Sequence, residues 1–213
     1  KKKGDAKEIE ADIALVAVGV TGNIENIGLE DIGVAVDNDS ITINEFNQTS
    51  IPNIYGIGDV TGPPWLAHVA SAQGHVAAEH AAGQKVVPVD YNNIPSCTYS
   101  QPQVASIGLT ENLAKDKGHE IKIGKFDFRA SGKAMATGNI DGFVKLVFDN
   151  KYGELLGAHI IGYEATEMIA ELGMAKALET TWNELATIVH AHPTLSEAVM
   201  EAALDALGQG VHQ

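Results

Sequence analysis

The chain has 213 residues, of which 45 % are hydrophobic and 20 % charged, and its formal net charge is −14. That composition is globular, with enough apolar material for one or two domains, and the acidic surplus argues against nucleic acid and anionic membrane surfaces as partners. No apolar run is long enough for a membrane helix, and the opening KKKGDAKEIEAD lacks the hydrophobic region of a secretory signal. Cys97 is the sole cysteine. An intramolecular disulfide framework is therefore excluded, and a reducing compartment fits best.

In chain order, the first predicted element is IEADIALVAVG, whose apolar run Ile13–Val18 reads as a buried strand ended by Gly19. VAVDNDSITI, from Val34 to Ile43, reads as two short strands around a polar turn at Asp37–Ser40. IPNIYGIGDV reads as a further strand closed by Gly58-Asp59. The Ala- and His-rich stretch from Leu66 to Ala82 predicts a helix stopped by Gly83. The composition changes across Lys85–Pro95, which suggests a connection between two units.

Beyond it, Gln103–Leu109, Ile121–Phe128, Phe143–Asp149 and Leu155–Ile161 are strand-like, and DNKYGE with Gly153 forms a hairpin loop between the last two. Ala165, Met168, Ile169, Leu172, Ala175 and Leu178 recur at helical spacing. Met168 and Met174 are both assigned to that buried stripe. Thr181-Trp182-Asn183-Glu184 is a capping-box pattern, and a last helix should run from about Leu195 to Leu207, where Gly208 stops it. The second unit is thus an α+β domain with an antiparallel sheet.

Two motifs carry candidate chemistry. In GIGDVTGPPWLAH, a segment ending in Gly-Asp presents the Asp59 carboxylate, which can accept hydrogen bonds from sugar-type hydroxyls. The helix after Pro64 aims its N-terminal N–H groups at the same spot. The plainer alternative is an ordinary turn with Asp59 as a local cap. In HAHPTLSEA, Thr194-Leu195-Ser196-Glu197 is a capping box. The same residues also place a carboxylate within reach of His192, which would fix the imidazole tautomer and leave one nitrogen as a base. Glu197 is expected to serve either the cap or the imidazole, so the two readings compete. His68, His75 and His80 lack partners at metal-ligand spacing, and Cys97 reads as inert packing.

The stretches ADIALVAVG, TSIPNIYGIGDVTGPPWLAHVASAQG, YSQPQVASIGLTE, GAHIIGYEATEMI and HAHPTLSEA, in this order, resemble the C-terminal part of the pyridine nucleotide–disulfide oxidoreductases. AHPTLSEA is most similar to the members that oxidise dihydrolipoamide. The resemblance implies an α+β dimerisation domain preceded by part of an FAD/NAD(P)-binding α/β domain. It divides the chain into residues 1–20 (end of the NAD-binding domain), 21–90 (central, flavin-contacting) and 91–213 (dimerisation).

It further implies FAD and NAD as cofactors, a homodimer, and the lipoyl domains of 2-oxo acid dehydrogenase or glycine-cleavage complexes as partners. The expected location is a bacterial cytoplasm, with the mitochondrial matrix or plastid as alternatives. Residue by residue, Asp59 matches the aspartate at the flavin ribitol. Trp65, Leu66, Ala67 and His68 match the segment at the flavin ring, and Gly19 a glycine that touches NAD. His192 matches the base that takes the thiol proton in the other subunit's active site, with Glu197 as its partner. Family members also carry a GxGxxG fingerprint and a C-x4-C dithiol, neither of which occurs here. The chain is therefore expected to be a C-terminal fragment, inactive alone and serving as a dimerisation module. A relative acting on another disulfide is the remaining alternative. Gly19-Val20-Thr21-Gly22 stands where most relatives read Gly-Arg-x-Pro, so nucleotide preference there is open.

Overall fold

Short alternating apolar segments separated by turn residues become an antiparallel sheet in the second half of the chain, as their period of two requires. The structure is a computed structural model that describes residues 8–212. The chain divides after Val89 into two compact units.

In the second unit, β3 (Ser96–Thr98), β4 (Gln103–Gly108), β5 (Ile121–Asp127), β6 (Phe143–Asp149) and β7 (Leu155–Gly162) form one sheet in the order β3-β4-β7-β6-β5. Every neighbouring pair is antiparallel. The β6–β7 turn is closed by Asp149, whose Oδ1 accepts from the N–H groups of Lys151 and Tyr152 at 2.9 and 2.8 Å. Helix α4 (Ala165–Ala177) packs on β4 and β7, while α6 (Glu197–Leu207) packs on β5 and β6. Helix α5 (Trp182–Thr187) lies against α6 and begins at the expected capping box, with Thr181 N–H donating to Glu184 Oε2 at 2.9 Å.

The core comprises the inward strand faces and the stripe Ala165, Met168, Ile169, Leu172 and Ala175. Met174 departs from the expectation and is 62 % exposed. It lies six residues after Met168, which at 100° per residue rotates it off the buried stripe. Leu178 is exposed too, because α4 ends at Ala177. Helices α2 (Glu111–Asp116) and α3 (Gly132–Thr137) are too short to show a 3.6-residue period, and the sequence pattern did not announce them. Thr110 and Ser131 cap them.

Helix α6 crosses β5 so closely at Gly124 that a Cβ there would collide with the carbonyl oxygen of Ala202. Backbone cannot yield as a flexible side chain can. Gly124→Ala is expected to cost roughly 1–3 kcal/mol, read as a lowered urea midpoint; an unchanged midpoint would contradict this packing.

In the first unit, the polar turn in VAVDNDSITI forms the expected hairpin. Strand β1 (Val36–Asp37) pairs with β2 (Ser40–Ile41) through Asn38, at φ 51°. Ile24, Leu29, Val34 and Ile41 make a small core beside it. Helix α1 (Ala67–Ala81) follows, and Gly83, at φ 73°, takes the left-handed conformation just beyond its end.

Two strand expectations are corrected. The run Ile13–Val18 forms no strand and is exposed, Leu15 at 90 % and Val18 at 93 %. A buried strand needs ladder partners for its N–H and C=O groups, and among the described residues no strand pairs with it. IPNIYGIGDV contributes one isolated bridge, Gln48 with Tyr55, and then a 3-10 turn at Gly58–Thr61. Its backbone groups are consumed locally, with Ile54 N–H donating to Ile51 O and Gly56 N–H to Asn47 O, both at 2.9 Å.

Candidate functional site

HAHPTLSEA lies in the loop between α5 and α6. His192 joins Pro193 through a cis peptide bond. The chain then turns at Thr194, whose hydroxyl donates to Ala191 O at 2.7 Å. Leu195 is buried and fastens the turn to the core. Glu197 opens α6 with both carboxylate oxygens engaged. Oε2 accepts from Thr194 N–H at 2.8 Å, and Oε1 lies 2.8 Å from His192 Nδ1. The expected competition between cap and imidazole therefore does not arise, because a carboxylate has two acceptors and each takes one role.

His192 is 77 % exposed while Glu197 is mostly covered. In the neutral ring the Glu197 contact places the proton on Nδ1 and leaves the Nε2 lone pair as the base. After protonation the same carboxylate stabilises the imidazolium. The pair is thus an exposed acid–base group held in one tautomer by a covered anion.

Burial pushes the Glu197 carboxyl up, but the Thr194 N–H and the His192 ring more than offset it, and the group sits below the ordinary carboxylate range. A depressed carboxyl contributes stability above its unfolded value of about 4.3 and loses it as pH falls through the lower folded value. The Thr194 amide resonance should therefore shift with a midpoint below the ordinary glutamate value. A midpoint above the unfolded value would contradict the geometry.

In the first unit, the structure brings Asp59 and Trp65–His68 onto neighbouring turns. Asp59 is exposed on the 3-10 turn Gly58–Thr61. That turn is pinned to α1 by Gln73, a buried residue that sequence spacing did not single out. Gln73 Oε1 accepts from Gly58 N–H at 2.6 Å. Leu66 caps α1 without a side-chain acceptor, and Ala67 and His68 form its exposed first turn. Trp65, Gly62, Thr61 and Gly22 line an open cavity of about 550 Å³. An exposed carboxylate beside a helix N-terminus suits a polyol chain and a ring carrying partial negative charge.

Gly19, at φ 124°, meets nothing that a Cβ would touch among the described residues. His80 stacks on Phe46 at 4.7 Å and meets Tyr55 Oη at 2.8 Å through Nδ1. Among the described residues no group of three or more His, Cys, Asp or Glu could hold a metal ion, and no helix is long and apolar enough to cross a membrane. Burial, and then the nearby Glu167 carboxylate, pushes the Cys97 thiol up, away from nucleophilic use.

The sequence profile described as "Pyridine nucleotide-disulphide oxidoreductase, dimerisation domain" matches residues 94–203, and that of "Pyridine nucleotide-disulphide oxidoreductase" matches residues 1–74. The chain belongs to the pyridine nucleotide-disulphide oxidoreductases. Among curated members of this family, the dihydrolipoyl dehydrogenase of Zymomonas mobilis is 51 % identical over 200 residues, covering 93 % of this chain and 43 % of that protein. The dihydrolipoyl dehydrogenase of Bacillus subtilis is 49 % identical over 212 residues, covering 100 % of this chain and 45 % of the relative. The chain thus spans less than half the length of these oxidoreductases.

Among solved structures, LpdA from Mycobacterium tuberculosis aligns with a TM-score of 0.81 at 28 % identity, over 86 % of this chain and 40 % of the other. The flavoprotein disulfide reductase RclA from Escherichia coli shares the fold, with a TM-score of 0.83 at 23 % identity, over 88 % of this chain and 43 % of the other. Mixed helix and antiparallel sheet, a dimerisation domain and part of an FAD/NAD-binding domain are therefore the family architecture in this chain.

Proposed function

We propose that this chain is the flavin-contacting and dimerising part of a dihydrolipoyl dehydrogenase, which oxidises protein-bound dihydrolipoamide with NAD+. The observation that carries this reading is the 2.8 Å contact between exposed His192 and covered Glu197. A dithiol gives up its electrons as thiolate, so its oxidation needs a base with an open nitrogen and a stabilised cationic form. His192 Nε2 takes the thiol proton and later releases it to solvent; Glu197 holds the tautomer and the charge.

In the homodimer, His192 of one subunit faces the redox dithiol of the other. That dithiol would belong to a portion of the protein outside these residues, since Cys97 is the only cysteine here. Asp59 would hold the ribitol hydroxyls of FAD, and the N–H groups of the Trp65–His68 segment would serve its ring. Gly19 lies on the NAD side. FAD, when bound, supplies the two-electron relay to NAD+. Lipoyl domains of 2-oxo acid dehydrogenase or glycine-cleavage complexes are the partners, and a bacterial cytoplasm is the compartment that fits the bacterial relatives.

The test is NADH formation by the complete polypeptide with dihydrolipoamide, set against NAD(P)H-dependent reduction of glutathione disulfide. Activity confined to dihydrolipoamide supports the reading; activity confined to glutathione disulfide sinks it. The core of the second unit is self-contained, which favours a second reading for the 213-residue chain alone: a non-catalytic dimerisation module.

A further inference from the structure

A second histidine–carboxylate pair stands two residues before the first. His190 Nε2 lies 2.7 Å from Glu171 Oε1, on α4, and the His190 side chain is only 8 % exposed. Its Nδ1 is buried and has no hydrogen-bond partner. Among the described residues, Glu171 is thus the hydrogen-bond partner that the ring has. From Thr187 to Pro193 every other residue is exposed, so His190 is the side chain of this stretch that enters the body of the domain, while His192 reaches Glu197 from the surface. The candidate base, His192, lies between this buried ring and the turn that Thr194 and Leu195 fasten.

We propose that His190 is the positioning residue of the turn, its Nε2–H donating to Glu171 and thereby holding His192 where Glu197 can fix its tautomer. The proposal rests on the reading of His192 as the oriented base. Without the Glu171 contact, a buried imidazole with both nitrogens unsatisfied is costly, and the ring leaves its place. The backbone between Ile188 and Pro193 then loses its buried anchor. His192 samples orientations in which Nδ1 no longer faces Glu197, and its proton distributes over both nitrogens.

The measurement is the imidazole nitrogen pattern of His192 in the ¹⁵N-labelled chain, by long-range proton–nitrogen correlation at a pH where the ring is neutral. The wild type should show the Nδ1–H tautomer. Glu171→Ala and His190→Ala should each reduce the preference for that tautomer by roughly tenfold, the size expected for one lost charge-assisted hydrogen bond. His190→Gln, which can still donate to Glu171, should restore most of it. Alanine suits the interior of α4, so Glu171→Ala breaks the bond from the side less prone to unfolding.

An unchanged His192 pattern in folded Glu171→Ala and His190→Ala would overturn the proposal and leave the base assignment standing. A wild type lacking the Nδ1–H tautomer would strike the base assignment itself, and this proposal with it. Loss of fold in both variants would also overturn it, since the pair would then hold the domain and not the turn.

Discussion

His192→Gln in the complete enzyme is expected to lower turnover with dihydrolipoamide by roughly 10²–10⁴-fold, the usual worth of a positioned general base, while the flavin absorption band remains. Glutamine fills similar space and can still donate toward Glu197, so the turn from Pro193 to Leu195 keeps its fastenings. What it lacks is an Nε2 lone pair that accepts a proton near neutral pH. His192 is 77 % exposed and takes no part in the core, so a stability loss would not account for the fall. The loss should reside in kcat more than in substrate affinity, because a thiol proton is transferred only as the reaction proceeds. Stopped-flow reduction and the visible spectrum of the same preparation separate the two. Near-normal turnover with bound flavin would remove His192 from the chemistry.

Phe148→Ala is the second large effect, on stability. Phe148 is fully buried in β6, next to the register shift at Val147/Phe148. Its ring meets Trp182, the first residue of α5, edge-on at 5.8 Å and 64°. Truncation removes a large apolar surface and leaves a cavity beneath the helix that leads into the His192 loop, at a cost of roughly 3–5 kcal/mol. The edge-to-face pair accounts for about 0.5–1.5 kcal/mol of that. Thermal unfolding followed by near-ultraviolet dichroism reports both the loss and the altered tryptophan environment. A melting temperature within a few degrees of wild type would mean that α5 does not rest on this ring.

The second unit was the more legible half. Its strands alternate cleanly, its hairpins carry turn residues, and Thr181 and Gly208 mark helix ends, so local physics and tertiary packing agree there. Ile13–Val18 misled because a continuous apolar run reports burial only when partners exist to bury it. IPNIYGIGDV misled because Gly58, at φ 73°, turns the chain out of the extended path, and the groups before it bond to nearby carbonyls. At the site, the His192–Glu197 pair was legible since both members lie within one turn and the cap geometry forces them together. Glu171 and Gln73 were not. Each acts on a residue 19 or 15 positions away, and no local spacing rule reaches that far.

On the proposed function, His192 acts on the dithiol of a partner subunit. Subunit complementation tests it most directly. Homodimers carrying His192→Gln should be nearly inactive, and so should homodimers whose dithiol cysteines are replaced by serine. A hybrid of one subunit of each kind contains one intact site if base and dithiol come from different chains. Co-expressed, purified hybrids should then regain roughly half the wild-type turnover per dimer, the arithmetic of one working site of two in a symmetric dimer. Hybrids as inactive as their parents would contradict it, and would place His192 with the dithiol of its own subunit or outside the site altogether.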